Sequence, residues 1–369
     1  AWIDEIIKKT VMYIEECKRA NFPVYFDASY QITIPQEWEK LAETNIGCTA
    51  GTESTKISPQ WIEKCKVMDH IIVTSEHAKY AFDNTSYQAQ NPQTGEIIDF
   101  ENDTPVQVVS YPIREFETCK EFKLELKDDF NFLCNAQWSP RKNIENTIKW
   151  WLEEFWDQEV GLVVKGNCMN NSYMDRGITE SKIKSLLREF SDRKCSVYLL
   201  HGDISDNELS SLYQHDKIKA FINLAHGEGF GLPVFEAAYH GMPVIAPDWG
   251  GILDFLYAPK KDKKGKEKKR PHFTRVDYDI KPIQKEAVWE PVLIKNSMWC
   301  FPKQGSYKMG LRKIYKNYDL VKKEAKKLQK WMVKEFDSKD KYEEIYKHVV
   351  PSSEEEKEWQ EKLAKIELL

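Results

Sequence analysis

A glycine-rich segment between two acids is the part of the sequence best suited to chemistry. Residues 226–251 read HGEGFGLPVFEAAYHGMPVIAPDWGG, with glycines at positions 227, 229 and 231 followed by Pro233. Glycines allow backbone amides to approach a ligand closely, and proline suits the first position of a helix. A glycine turn that leads into a helix N-terminus favours an anion, because free N–H groups and the helix dipole both attract negative charge.

Two carboxylates flank this turn. Glu228 precedes the second glycine, and Glu236 lies eight residues later, about one turn into the predicted helix. At this spacing the two acids need not share a face, so each can accept hydrogen bonds from a different part of a hydroxyl-bearing ligand. A glycine turn with only a structural role is the alternative, because many doubly wound folds contain one.

The elements that must position this segment alternate regularly in the second half of the chain. We predict strands at 131–135, 161–166, 196–200, 220–225 and 243–247, and helices at 144–155, 183–190, 206–213 and 234–240. Strands that recur about every 20–35 residues with helices between them predict a doubly wound domain with a parallel sheet.

The first half shows a weaker version of the same alternation. We predict an amphipathic helix over residues 2–19, a helix from Pro59 and a helix capped by Ser75, with strands at 24–26, 71–73 and 106–109. The charged stretch at 120–129 is the candidate linker, and a helical region covers 307–336. We therefore expect an N-terminal domain at 1–127, a C-terminal domain at 128–340 and a charged helical tail at 341–369.

Composition limits the class of protein. Apolar residues make up 41% of the 369 residues and the formal net charge is −5, which is ordinary for a globular protein and excludes a general polycation. The eight cysteines occur singly, without CxxC spacing, which favours reduced thiols. With no apolar run of about 18 residues and no secretory signal, we expect a cytoplasmic protein.

The acid–glycine–acid string also carries a family resemblance. EGFGLPVFEAAYHGMPVIAPDWGG resembles the E-x7-E signature of retaining glycosyltransferases with the GT-B fold, the "group 1" family, or family 4. The resemblance implies an α/β GT-B protein, in which two Rossmann-like doubly wound parallel-sheet domains face a cleft. It also implies an enzyme, a hexosyl- or pentosyltransferase that moves a sugar from a nucleoside diphosphate sugar to an unidentified acceptor with retention.

The same resemblance assigns roles to individual residues. Glu228 would be the catalytic residue, binding the transferred sugar and stabilising positive charge, and Glu236 would hold the ribose. Amides of the turn would hold the sugar and phosphate, namely those of Gly229, Phe230, Gly231 and Leu232. This interpretation requires the loop between Ala225 and Val234 to be accessible rather than buried under other parts of the protein.

Two lysines complete the implied donor site. WSPRKNIENTIKWW (138–151) looks like the segment that opens the family's donor domain, where Lys142 would meet the diphosphate beside Arg141. In LVVKG, Lys165 matches a second cation at a strand end, and LLHGDISDNELSSLYQ (199–214) is also similar to the family. Because fixed cations oppose the charge of the leaving diphosphate, no metal and no cofactor is expected. Exposed lysines at loop starts are the alternative.

The first half resembles the family's acceptor domain over residues 45–82. The segment NIGCTAGTESTKISPQWIEKCKVMDHIIVTSEHAKYAF makes Glu53, Ser75 and His77 possible acceptor-side residues, although His77 could simply occupy a first helical turn.

The sequence departs from the family pattern in three places. The arginine expected shortly before Lys142 is replaced by Ala136 and Gln137, and the acid after the Gly-Gly pair is the shorter Asp254. The family's opening strand and glycine loop do not precede Ala1, so we expect a first domain short by about two strand–helix units, with either missing upstream sequence or an abridged domain as the reason.

A basic run at 259–270 interrupts the second domain. Eight of the eleven residues from Lys260 to Arg270 are Lys or Arg, so we expect a segment that cannot pack. It could be a solvated loop, or it could hold a polyanionic acceptor such as DNA, an anionic glycan or lipid head groups. For the whole chain, the alternatives to a glycosyltransferase are a nucleotide-sugar epimerase, a phosphorylase, or a non-catalytic nucleotide-sugar binding protein of the same fold.

Overall fold

Two parallel sheets organise the chain. The computed structural model describes residues 2–24, 26–90, 95–119, 122–261 and 265–349. Its strands are β1 (Ala28–Ile32), β2 (Thr44–Thr49), β3 (His70–Val73), β4 (Ser86–Gln90), β5 (Ile97–Glu101), β6 (Val106–Val108), β7 (Asn131–Asn135), β8 (Gly161–Lys165), β9 (Ser196–Leu200), β10 (Ile218–Ile222), β11 (Val244–Pro247), β12 (Tyr257–Lys261), β13 (Glu267–Pro271), β14 (Thr274–Val276), β15 (Tyr278–Pro282) and β16 (Met298–Pro302).

The helices lie between these strands and after them. They are α1 (Trp2–Ala20), α2 (Pro59–Cys65), α3 (Glu76–Asp83), α4 (Ile144–Phe155), α5 (Tyr173–Leu187), α6 (Asp206–Gln214), α7 (Leu232–Tyr239), α8 (Leu253–Leu256), α9 (Gln304–Lys316), α10 (Tyr318–Glu335) and α11 (Ser338–Val349). No described helix combines the length and the apolar character needed to span a bilayer.

The first sheet has the strand order β1-β2-β3-β6, and every neighbouring pair is parallel. Helices α2 and α3 bury Trp61 and Phe82 against it, with the two rings stacked at a centroid distance of 6.1 Å. The side chain of Ser75 accepts a hydrogen bond from the backbone of Ala78, which confirms Ser75 as the cap of α3.

The second sheet has the strand order β14-β11-β10-β7-β8-β9 and is also parallel throughout. In its strand β7, Phe132 and Leu133 point to opposite faces and are both fully buried, each in a different apolar cluster. Helices therefore cover both faces of the sheet, as the near-continuous apolar strands predict. The carboxyl ends of β7, β8 and β10 lie side by side at the edge where the candidate site forms.

The C-terminal part of the described chain returns to the first sheet. Ile345 and Val349 of α11 pack against a small buried cluster that includes Ile46 and Ile72. The described part of the predicted tail is thus helical and docked, whereas residues 350–369 lie outside the described residues. The exact domain boundaries at 127 and 340 stay predictions.

Several sequence predictions were wrong in detail. Residues 24 and 26 are not in a strand, and β1 begins at Ala28 instead. The helical region predicted at 307–336 is confirmed, and it consists of two helices, α9 and α10, that meet at Asn317. The ends of the basic run pair as the antiparallel hairpin β12–β13, which was not predicted, whereas its described residues at 259–261 and 265–270 stay exposed, as an unpacked segment implies; residues 262–264 lie outside the described part. Backbone hydrogen bonds form this hairpin without any apolar pattern in the side chains.

Candidate functional site

The glycine loop connects the end of β10 to the start of α7. Gly231 precedes the helix with a φ of 91°, in the left-handed region that favours glycine. The backbone N–H groups of Phe230, Gly231 and Leu232 donate to no other described group. Unpartnered donors at a helix N-terminus are suited to an anion, and the binding role of these amides stays a prediction.

Glu228 lies at the centre of a charged cluster on this loop. Its Oε1 is 2.6 Å from Lys142 Nζ and its Oε2 is 3.1 Å from Arg141 Nη1, and Asn223 donates to Oε1 at 3.0 Å. Burial favours the neutral acid, but the charges of Lys142 and Arg141 outweigh it, so the pKa of Glu228 lies below its usual value. Glu228 is therefore a carboxylate at neutral pH.

Arg141 connects this cluster to the first half of the chain. Its Nη2 lies 3.2 Å from Glu53 Oε1, while its Nη1 also donates to the carbonyl oxygen of Gly227 at 2.9 Å. Residues 50–53 press directly on the loop here, since a Cβ at position 227 would lie 2.0 Å from the carbonyl oxygen of Glu53. Only glycine allows this approach.

The loop is less accessible than the sequence interpretation expects. Residues 223–231 are all buried, partly because residues 50–53 cover the glycines. One side of the loop remains accessible through a cavity of about 250 Å³. The cavity is lined by Glu53, Tyr111, Lys142, Glu228, residues 50–51 and residues 229–233. The expectation of an accessible loop is thus wrong for the side that residues 50–53 cover, and it holds only for the side that lines this cavity.

Glu236 and Lys165 form a second polar group at the same sheet edge. Tyr213 donates from its hydroxyl to Glu236 Oε2 at 3.1 Å and accepts from Asn135 at 3.2 Å. Asn135 is paired in register with Lys165, whose Nζ donates to the carbonyl of Gly202 at 2.8 Å. Burial raises the pKa of Glu236 and lowers that of Lys165. Neither residue lines the 250 Å³ cavity.

The acceptor-side candidates occupy the junction between the two sheets. The Ser75 hydroxyl donates to the carbonyl oxygen of Gly229, so Ser75 holds the loop as well as capping α3. His77 packs edge-on against Trp249, with ring centroids 4.6 Å apart, and its Nε2 has no hydrogen-bond partner among the described residues. Burial lowers the pKa of His77 to about 4, so its imidazole is neutral at physiological pH.

Asp254 contributes a further contact at this junction. Its Oδ2 accepts a hydrogen bond from the backbone N–H of Glu76 at 2.8 Å, in the first turn of α3. Burial raises the pKa of Asp254 to about 6, and the hydrogen bond from Glu76 acts in the opposite direction by favouring the carboxylate. The shorter acid noted in the sequence is therefore placed to cap a helix of the other sheet.

The fold thus brings together Glu53, Lys142, Glu228 and the turn residues 229–232, and places Glu236 and Lys165 in a neighbouring group. Sequence reasoning named Arg141 only as the neighbour of Lys142, and it did not single out Asn223 or Tyr111. The charge of Arg141 beside Lys142 was the only signal available, because its partner Glu53 lies far away in the chain. Within the described ranges, no three His, Cys, Asp or Glu side chains group closely enough to hold a metal ion.

A family model supports the same region. Residues 116–261 match the model described as "Glycosyl transferases group 1". The match covers less than half of the chain and includes the glycine loop, Lys142, Lys165 and both loop acids. The chain thus contains a region that matches this family. A search of curated proteins by sequence gave no significant match.

Solved structures establish the fold. Sucrose-phosphate synthase from Thermosynechococcus elongatus aligns with a TM-score of 0.58 at 13% identity, over 92% of this chain and 75% of that one. A glycosyltransferase from Rickettsia africae gives 0.56 at 12% identity, over 94% and 82%. Anabaena HepE, solved with UDP and glucose, gives 0.54 at 12% identity, over 83% and 71%. The chain spans only half, 50%, of the longer S. aureus TarM chain. It has an α/β fold of the GT-B class.

Proposed function

We propose that this protein is a glycosyltransferase of family 4 that transfers a sugar from a nucleoside diphosphate sugar with retention of configuration. The group 1 match and the GT-B fold support glycosyl transfer. The observation that carries the proposal is the cluster of Glu228, Lys142 and Arg141 on a loop whose amides lack partners. Such a site offers two cations and free N–H groups to a diphosphate, and a carboxylate to the sugar.

In the proposed reaction, the bond between the sugar C1 and the diphosphate oxygen breaks while a bond from C1 to the acceptor oxygen forms on the same face. The proton of the acceptor hydroxyl passes to the leaving phosphate. Lys142 and Arg141 oppose the charge that grows on the diphosphate, and the Glu228 carboxylate stabilises the positive charge of the sugar. Because the pKa of Glu228 is lowered, we assign it an electrostatic role rather than that of a general acid.

Glu236 is assigned to the ribose of the donor. Its carboxylate is held by Tyr213 and can exchange that hydrogen bond for those of a cis-diol. HepE was solved with UDP, which makes a uridine nucleotide the first to test. Lys165, at the end of the neighbouring strand, is assigned to the donor phosphates as a second cation.

Donor binding requires the cleft to widen. The cavity of about 250 Å³ is smaller than the roughly 300–1,000 Å³ typical of small-molecule sites. Residues 50–53 would have to move away from the loop, which breaks the ion pair between Arg141 and Glu53 and frees Arg141 for the diphosphate. We therefore describe the structure as a closed form in which Glu53 takes the place of donor phosphate at Arg141.

The acceptor is a hydroxyl compound, and Glu53, Ser75 and His77 are proposed to lie on its side of the cleft. His77 is neutral at physiological pH and its Nε2 is unpartnered, so it can accept a hydrogen bond from a hydroxyl. The reaction is proposed to need no metal or other cofactor, because lysine, arginine and backbone amides serve the diphosphate.

A donor panel tests the proposal. Thermal shift with UDP, GDP and ADP identifies the base, and release of nucleotide from the matching sugar nucleotides then measures turnover. Wild-type protein is expected to release nucleotide, and Lys142→Met to lower kcat/KM by about 100-fold or more. Lys149→Met on α4, whose lysine pairs with Glu189 away from the loop, is the matched control and should stay at the wild-type rate. Binding without turnover would favour the non-catalytic alternative.

A further inference from the structure

His226 is a buried titratable residue at the start of the glycine loop, and the proposed mechanism does not use it. It comes directly before Gly227 and is 3% exposed. Its ring stacks on that of Trp299, with centroids 5.3 Å apart and an angle of 17° between the planes, and the ring of Phe301 lies 4.5 Å away. Both aromatic residues belong to β16, so a strand outside the loop encloses this imidazole.

The hydrogen bonds of His226 determine which ring nitrogen carries the proton. Nδ1 lies 2.7 Å from the carbonyl oxygen of Cys300, which can only accept, so Nδ1 must be the donor. Nε2 lies 3.1 Å from the amide nitrogen of Gln284, which can only donate, so Nε2 must accept. The amide is oriented in turn, because Gln284 Oε1 accepts from Trp299 Nε1 at 3.0 Å. His226 is therefore neutral, with its proton on Nδ1.

Protonation of His226 would disrupt this network. An imidazolium has two N–H donors, so its Nε2–H would face the amide nitrogen of Gln284, which is also a donor. Turning that amide over transfers the conflict to Nε1 of the fully buried Trp299. A buried donor without an acceptor costs about 1–3 kcal/mol. Burial also lowers the pKa of His226, so both effects favour the neutral ring.

The charged and titratable groups around the imidazole are engaged elsewhere or neutral. Arg141 and Glu228 pair with each other at 3.1 Å. From β15, Lys281 lies over the ring of Phe301, at 5.7 Å from its centroid. Burial raises the pKa of the Cys300 thiol, which is therefore protonated at neutral pH. No described carboxylate forms an ion pair with the imidazole itself.

The backbone of His226 connects this network to the charged cluster. Its N–H donates to the carbonyl oxygen of Arg141 at 2.8 Å, and its carbonyl oxygen accepts from the N–H of Cys300 at 2.9 Å. The guanidinium of the same Arg141 donates to the carbonyl oxygen of Gly227 at 2.9 Å and pairs with Glu228. Strand β16 therefore fixes His226, and His226 and Gly227 in turn hold Arg141 beside Glu228.

We propose that His226 is a positioning residue: held by Gln284 with its proton on Nδ1, it fixes Arg141 beside Glu228 for the transfer reaction. The catalytic consequence rests on the proposed function, whereas the hydrogen-bond arrangement does not. A displacement of about 1 Å in a catalytic site can cost about 100-fold in rate. The amides of residues 230–232 form no hydrogen bond with His226, so donor binding should depend on it less than turnover does.

Two substitutions of similar shape test the positioning role in the whole chain. The amide nitrogen of His226→Asn can take the place of Nδ1 and donate to Cys300, whereas His226→Leu has no donor. His226→Leu should lower kcat about 30-fold or more and change the donor KM by less than about threefold. His226→Asn should restore kcat to at least about ten times that of His226→Leu. Equal kcat values for the two variants, or a wild-type kcat in His226→Leu, overturn the proposal.

His272→Leu is the matched control for loss of a buried imidazole. His272 is 8% exposed and lies beside a cavity with Val244 and Thr274, the first residues of β11 and β14. This is the amino-terminal edge of the second sheet, opposite the candidate site. The control should stay within about twofold of the wild-type kcat, because removal of this ring does not reach Arg141.

Long-range 1H–15N spectra of histidine-labelled protein test the arrangement without any donor. The signals of His226, identified by their absence in His226→Asn, should show a protonated Nδ1 and an unprotonated Nε2 at neutral pH. In Gln284→Glu a carboxylate replaces the amide donor and can accept from Nε2–H, so both nitrogens should be protonated. A proton on Nε2 in the wild type, or an unchanged His226 spectrum in Gln284→Glu, overturns the proposal.

The two experiments separate failure of this proposal from failure of the proposed function. A wild-type chain without turnover on the donor panel refutes glycosyl transfer, and the spectra then decide the arrangement of His226 by themselves. Turnover by the wild type with equal kcat in the asparagine and leucine variants refutes the positioning role alone.

Discussion

Replacing Glu228 by glutamine should separate donor binding from transfer. The change removes one negative charge from a side chain that is 7% exposed, and leaves Lys142 and Arg141 close together. Removing one partner of a buried ion pair costs about 3–5 kcal/mol. Lys142 and Arg141 are 15% and 22% exposed, so water can solvate them partly, and the expected loss of unfolding free energy is about 2–3 kcal/mol.

The same substitution should strengthen the binding of a nucleoside diphosphate. The diphosphate supplies the negative charge that the two cations have lost, whereas in the wild type it competes with Glu228. A ligand at 100 times its dissociation constant stabilises by about 2.7 kcal/mol, and we expect the variant to gain about 1 kcal/mol more than the wild type. Transfer should nevertheless fall about 100-fold or more, because the carboxylate no longer stabilises the positive charge of the sugar.

Thermal unfolding with and without the preferred nucleoside diphosphate measures both effects. Without ligand, the Glu228→Gln variant should melt about 3–6 °C lower than wild type. Glu154→Gln is the matched control, since Glu154 is also about as buried, at 6% exposed, but pairs with Arg312 far from the loop. A smaller ligand shift in Glu228→Gln than in this control would refute the competition between Glu228 and the diphosphate.

Four other outcomes follow from the site. Glu236→Ala should raise the donor KM about tenfold or more with a smaller change in kcat, because a charged hydrogen bond to the ribose is lost; unchanged donor affinity would count against the ribose assignment. Glu53→Gln should tighten nucleoside diphosphate binding up to about fivefold, measured by calorimetry, because Arg141 is released, whereas weaker binding would contradict the closed form. Burial raises the pKa of Asp254 to about 6, above its value near 4 in the unfolded chain. The folded state is therefore not destabilised by this group below pH 4, where the carboxyl is neutral in both states, and it loses stability as pH rises through 6 and the buried carboxyl must ionise. Asp254→Asn should therefore raise unfolding free energy at pH 8 relative to wild type, by at most about 3 kcal/mol, and equal denaturant profiles at pH 8 would reject this. Activity should also survive 5 mM EDTA, and its loss with recovery on adding a divalent cation would contradict the metal-free mechanism.

The second sheet could be predicted from the sequence because its strands are continuous apolar runs. Phe132 and Leu133 of β7 are both buried, so an uninterrupted run of apolar residues predicts this strand, and no alternation of apolar and polar residues is needed. The glycine loop was equally readable, since Gly231 and the following Pro233 determine where α7 begins. Local sequence determines these features.

The first sheet was harder to predict. Strand β1 has the sequence ASYQI and β2 the sequence TNIGCT, which lack a strong apolar pattern. Gly47 in β2 is required because the ring of Trp38 packs directly against it, and that contact is invisible in the sequence. Here tertiary packing outweighs local propensity.

The covering of the loop by residues 50–53 could not be predicted at all. The link from Arg141 to Glu53 and the hydrogen bond from Ser75 to Gly229 join residues that are far apart in the chain. Long-range pairing of this kind depends on how the two sheets meet, and residue types alone do not reveal it. For the same reason the backbone pairing of β12 with β13 was not predicted, although the exposure of their basic side chains was.

A crystal structure with the nucleoside diphosphate that stabilises the protein most is the most direct test of the central claim. We predict that its diphosphate accepts hydrogen bonds from the amides of Phe230, Gly231 and Leu232 and contacts Lys142, with Glu53 displaced from Arg141. A nucleotide bound elsewhere while residues 50–53 still cover the loop would contradict the account.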